Sequence, residues 1–152
     1  MAQDSVAVKR GVLSDLASAF DRLLALAESL PNLEPSDEWG PFEVLSHIDG
    51  WHLSAAGRLR QIGAGGEVLS PGEADILNQR FMGERRGLSG AELLERLRLS
   101  FAEMRAAAES VPASEYSKGE GGMLDSLAYF IVNANGPEHY HEHMQDLRAG
   151  AP

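Results

Sequence analysis

The chain has 152 residues, 43% of them hydrophobic and 24% charged, the balance of an ordinary soluble domain rather than a disordered or fibrous one. It contains no cysteine, which excludes disulfides, thiolate metal sites and a cysteine nucleophile. Thirteen lysines and arginines stand against 23 aspartates and glutamates, for a net charge of −10.

The length suits one domain spanning residues 1–152, with enough chain to bury a core without staples. No apolar run approaches the ~18 residues of a membrane span. The start, Met1-Ala2-Gln3-Asp4, lacks the basic and apolar regions of a signal peptide, so the expected location is the cytoplasm. Phosphate-binding proteins carry a basic stripe. The nearest feature here is Glu84-Arg85-Arg86, a doublet beside an acid. Nucleic acid and anionic membranes are therefore excluded as expected partners.

Apolar residues recur at helical spacing along the chain. A first helix is predicted from Asp4 or Ser5 to about Leu30, with Leu13, Leu16, Phe20, Leu23, Ala27 and Leu30 on its buried face and Pro31 as its stop. A polar loop runs from Pro31 to Gly40. A second helix should open at Pro41, a residue suited to a first helical turn, and carry Leu45, Ile48, His52, Ala55, Leu59 and Ile62 inward until Gly63-Ala64-Gly65-Gly66 ends it. Ser70-Pro71-Gly72-Glu73 and Ser89-Gly90-Ala91-Glu92 each have the spacing of a capping box. The first should open a short helix through Ile76, Leu77 and Phe81. The second should open a long one carrying Leu94, Leu97, Phe101, Met104, Ala108 and Val111, closed by Pro112. After a glycine-containing loop, Lys118–Gly122, a last helical region is split at Asn135-Gly136-Pro137 into pieces over about Leu124–Ala134 and Pro137–Arg148. No strand-like alternation and no internal repeat is found. The expected fold is all-α: a four-helix bundle with an additional short helix and crossings near ~20°.

Five histidines occur, at 47, 52, 139, 141 and 143. On one helix His139 and His143 face the same way and His141 faces away. Their side borders Tyr140, Met144 and Leu147 and so looks toward the bundle. Paired imidazoles four apart are a common holder of a divalent metal. The competing reading is a solvated, histidine-rich helix end. A third ligand has two candidates on the second helix, and spacing alone does not choose between them. His52 lies in the apolar stripe and also suits a core histidine; His47 lies at the stripe's edge, one turn from Trp51.

The segment Trp39-Gly40-Pro41-Phe42-Glu43-Val44-Leu45-Ser46-His47-Ile48-Asp49-Gly50-Trp51, the connection Asp75-Ile76-Leu77-Asn78 followed by Ser89, and the closing Asn135-Gly136-Pro137-Glu138-His139-Tyr140-His141-Glu142-His143 together resemble the DinB/YfiT-like superfamily, in its ClbS/DfsB-like branch. The order and spacing of these elements correspond over about residues 5–148. The resemblance implies a four-helix bundle, often dimeric, with a divalent metal held by His47, His139 and His143. Pro137, directly before the ligand-bearing helix, departs from the family pattern. Zinc is the default ion, with nickel and iron as the other imidazole-binding candidates. Family activities divide between hydrolase-like detoxification and transfer or isomerisation with a low-molecular-weight thiol. The implied function is thus a metal-dependent enzyme acting on a small electrophile in detoxification or stress response. The alternative is a non-catalytic small-molecule-binding or interaction protein. Arg58, Arg80, Arg85 and Arg86 are available as cations for a thiol cofactor. Trp39, Trp51, Phe81 and Tyr140 are available to line a pocket. Asp49, Glu138 and Glu142 lie near the ligands in sequence without a role assigned.

Overall fold

The computed structural model describes residues 4–149. Among them every regular element is helical: α1 Ser5–Glu28, α2 Pro41–Gly63, α3 Ala74–Arg85, α4 Gly90–Ser110, α5 Leu127–Asn135 and α6 Pro137–Ala149, with short 3-10 turns at Ala113–Ser117 and Gly122–Asp125. The all-α expectation holds, and the predicted helices are found with boundaries shifted by a few residues.

Local chemistry accounts for most of those boundaries. Asp4 caps α1 by accepting from the amides of Val6 and Ala7, satisfying donors that have no partner inside the helix. The Ser89 box forms as predicted: Ser89 Oγ accepts from Glu92 N and Glu92 Oε1 accepts from Ser89 N, both at 3.1 Å. At the other end of α4, Lys9 Nζ reaches across from α1 to the carbonyls of Glu109 and Val111. It places a cation where the helix dipole is negative.

The box predicted at Ser70 does not form. Gly72 has φ +108°, a conformation outside the helical region, so the chain is still turning there and α3 begins at Ala74 with Glu73 as its cap. The second correction is at α5. It starts at Leu127, three residues after the predicted Leu124, because Ser126 accepts from Tyr129 N and sets the cap.

The core is built on α2. Leu45, Ile48, Ala55 and Leu59 are fully buried on the predicted stripe, in one cluster with Leu16 and Leu23 of α1 and Leu93, Leu97 and Met104 of α4, the helix that α2 packs on most extensively. Each such side chain contributes about 1.5–3 kcal/mol by leaving water. Phe20 stacks on Phe101 with centroids 3.8 Å apart.

His52, fully buried, is wired into this core. Ser100 Oγ donates to Leu97 O at 3.2 Å, and so accepts from His52 Nδ1 at 2.9 Å. Tyr140 OH then donates to His52 Nε2 at 2.6 Å. Both ring nitrogens are satisfied by a neutral imidazole. Burial pushes its pKa down to about 3, against the opposing influence of Asp49. His52 is therefore a structural histidine that ties α2 to α4 and α6.

Two glycines permit close approaches that position the site. A Cβ at Gly50 would lie 2.2 Å from the Phe81 ring, so its absence lets α3 seat directly on α2. At Gly136 the chain breaks between α5 and α6, and a Cβ would lie 2.6 Å from both Leu16 Cδ1 and Val132 O. The predicted split is thus a junction closed to a Cβ by the Val132 carbonyl of α5, with the Leu16 side chain of α1 packed against the same spot.

Candidate metal centre

Helix α2 presents His47 one turn before Trp51, and α6 presents His139 and His143 one turn apart. The fold brings these three together: one nitrogen from each lies within 4.8 Å of the others. His47 Nε2 is 2.8 Å from His139 Nε2, which is 3.1 Å from His143 Nε2. The three ring centroids are spaced 4.6–4.8 Å apart, with steep angles between the planes. His47 is 7% exposed, and the His143 side chain is 15% exposed.

Neighbours hold two of the three rings, while His139 Nδ1 is buried without a hydrogen-bond partner. Asn78 Oδ1, on α3, lies 2.7 Å from His47 Nδ1 and also accepts from Trp51 Nε1 at 2.7 Å. A carboxamide oxygen only accepts, so the proton of His47 sits on Nδ1 and its Nε2 is a bare lone pair. His143 Nδ1 faces Asp146 Oδ2 at 3.1 Å. His139 Nε2 stands between the other two nitrogens and offers either one proton or one lone pair. One of the two close nitrogen contacts is therefore unsatisfied without a shared cation.

Imidazoles at ~2.0–2.1 Å from a tetrahedral ion place their nitrogens ~3.3–3.4 Å apart, wider than the two close pairs and narrower than the 4.8 Å within which all three nitrogens lie, so the rings would shift slightly to share one.

Electrostatics act in the same direction. Burial, reinforced by the neighbouring His143 and opposed by the Asn78 bond, lowers the His47 pKa to about 4. Burial, followed by His47, His143 and His52, lowers that of His139 to about 2. Both rings are neutral at pH 7, the form that ligates metal.

The remaining predicted residues sort clearly. His141 is exposed on the far side of α6, as its spacing requires. The kink before Pro137 does not rotate it inward. Tyr140 belongs to the core, Phe81 packs under Gly50, and Trp51 is held by Asn78. Two of the four aromatics stand at the site: Trp39, 47% exposed, with its ring 5.5 Å from His47 and 6.0 Å from His143, and Trp51, with its ring 6.4 Å from His47.

Of the candidate cations, Arg85 is buried against Asp49, Arg86 pairs with Asp37, and Arg80 pairs with Glu84. Arg58 is partly buried, and its Nε has no hydrogen-bond partner. Three of the four are thus already neutralised and make poor anchors for a thiol cofactor.

Asn78 and Asp146 are the supporting residues that sequence reasoning did not single out for the site. Asp146 was legible as the helical neighbour of His143, three residues on. Asn78 comes from another helix, and no spacing rule reaches it. The chain has no significant match among protein-family models, curated proteins or solved structures.

Proposed function

We propose that this protein is a divalent-metal-dependent enzyme of the DinB/YfiT-like kind. In this reading it is a four-helix bundle acting as a homodimer in the cytoplasm, and His47, His139 and His143 hold the ion. The observation that carries the reading is the convergence of three imidazole Nε2 atoms, with that of His47 left as a bare lone pair by the Asn78 bond. Three protein ligands leave coordination positions open, as in catalytic rather than structural sites. An ion bound there would supply a nucleophile near neutral pH, from water or a small thiol, in place of the cysteine that the chain lacks. The chain's own contribution is to orient the rings, keep them neutral and present Trp39 beside them. The substrate class that fits is a small electrophile.

Untagged protein purified without a nickel column is expected to contain close to one equivalent of divalent metal by elemental analysis. His47→Ala and His143→Ala should each lose it while keeping their helical circular dichroism. Metal absent from the wild type, and not taken up from added zinc or nickel, would overturn the reading.

Asn78→Ala removes the acceptor that fixes both His47 and Trp51. Zinc affinity measured by chelator competition should then fall about 10–100-fold. Asn78→Asp, which keeps an acceptor in place, should recover most of the loss. Equal affinities in all three proteins would show that Asn78 does not orient the ligand.

A further inference from the structure

The two halves of α3 are held very differently. Its C-terminal half is anchored by Phe81, seated over Gly50, and by Arg85, buried on Asp49. Its N-terminal half has no buried residue at all, and residues 69–76, which lead into it, are exposed without exception. Among the regular elements α3 packs chiefly on α2. Even there the fit is loose, because a cavity of about 320 Å³ lies between the two, bounded by Gly50, Leu53 and Ser54 on one side and by Pro71 and Leu77 on the other.

Polar contacts are as sparse. Leu69 N donates to Gln61 Oε1 at 3.2 Å, and Gly65 and Gly72 carry φ of +73° and +108° in the connector from α2. Arg80 pairs inside α3, with Glu84. Among the described residues, the only hydrogen bonds that join residues 74–80 to another element end on Asn78 Oδ1, which accepts from His47 Nδ1 and Trp51 Nε1. A segment with exposed backbone and few buried apolar contacts opens at a lower free energy than the core around it. The clasp of this segment is thus the same atom that orients a histidine of the centre.

We propose that residues 69–80 form a flap over the α2 side of the histidine centre, pivoting at Phe81 and Arg85, loose in the metal-free protein and clasped by Asn78 when a divalent cation is bound. The proposal rests on the reading of the three histidines as a metal centre and adds a regulation to it. With a cation on Nε2, the Nδ1–H of His47 donates from a positively polarised ring, and such bonds are stronger than neutral ones. Linkage requires the effect to run both ways. If losing the Asn78 bond weakens the cation by about 10–100-fold, the cation disfavours opening of the flap by the same factor.

Hydrogen exchange of the full chain, followed by mass spectrometry with and without saturating zinc, would read the flap directly. In the metal-free protein, amides of residues 77–80 are expected to exchange about tenfold or more faster than those between Ile48 and Leu59. Zinc should slow the 77–80 amides by about 10–100-fold. Asn78→Ala, with its helical circular dichroism intact and zinc raised until the protein is again loaded, should lose most of that slowing. Asn78→Asp, which keeps an acceptor, should retain it.

Amides of 77–80 that exchange no faster than those of α2, or that ignore bound zinc, would overturn the flap and leave the metal site standing. Full zinc protection of 77–80 in Asn78→Ala would likewise overturn it, since the clasp would then lie elsewhere. Failure of the wild type to retain zinc, read separately by elemental analysis, would overturn the metal-centre reading and this proposal with it.

Discussion

Asp49→Ala is expected to destabilise the protein by about 3–5 kcal/mol, the cost of leaving a buried charge without its partner. The partner is Arg85, whose side chain is 2% exposed while that of Asp49 is 1% exposed. Arg85 Nε donates to Asp49 Oδ2 at 2.5 Å, and Nη1 donates to the Phe81 carbonyl at 2.9 Å. The guanidinium of Arg96 stands farther off, at 3.7 Å from the same oxygen and 44% exposed, and does not reach Arg85's place in the interior. With alanine at 49, Arg85 must either stay buried and unpaired or swing out, taking α3 off α2. A typical domain is stable by about 5–15 kcal/mol, so this one substitution removes a large share. Urea unfolding of Asp49→Ala would measure the loss. The double variant Asp49→Leu/Arg85→Met, which removes both charges at similar volume, should be much closer to wild type. A loss below about 1 kcal/mol in the single variant would show that the pair does not hold α3 in place.

The second large effect is acid sensitivity of the metal-free protein. His47, His52 and His139 have pKa values of about 4, 3 and 2 in the fold, against about 6.5 in an unfolded chain. The unfolded state therefore binds protons first. Stability is complete above pH ~6.5 and falls as the pH drops below it, by about 1.4 kcal/mol per pH unit for each histidine still neutral in the fold. With all three acting together the slope approaches about 4 kcal/mol per unit, enough to unfold an ordinary domain well before its carboxylates are protonated. The loss should level off only as each histidine reaches its own lowered value. Urea midpoints between pH 7 and 4.5 would test this. His52→Gln should flatten the slope by about one proton, because it removes one of the three groups. Stability that stays flat from pH 6.5 to 5 would show that the histidines charge freely within the fold.

Much of this architecture was legible in the chain because its signals are local. The Ser89 box, Pro41 at a first turn and the stripe through Leu97, Phe101 and Met104 each depend on residues a few positions apart, and each reappears in the structure. The Ser70 box had the same spacing and failed, since the spacing carries no information about φ at Gly72.

The second helix shows a different limit. Its apolar stripe reads as a single buried face, yet Glu43, Ser46, His47 and Asp49 are buried as well. They are covered by α3 and the 36–39 loop, elements whose own patterns are too polar to announce a packing role. For the same reason Asp49 reads as a solvated acid: its partner lies 36 residues away. The choice of His47 over His52 came from the resemblance rather than from periodicity, and the geometry agrees with it. His47 meets His139, while both nitrogens of His52 are taken in the core.

The break at Gly136 uncouples the roll of α6 from that of α5. What then sets the roll is Tyr140, gripped in the interior by His52 and adjacent in sequence to His139. The spacing of the two α6 imidazoles is consequently adjusted from the dry side of the helix, by a residue whose ring lies outside the cluster. Substitutions at positions 52, 100 and 140 would alter how the three imidazoles meet while the imidazoles themselves stayed the same.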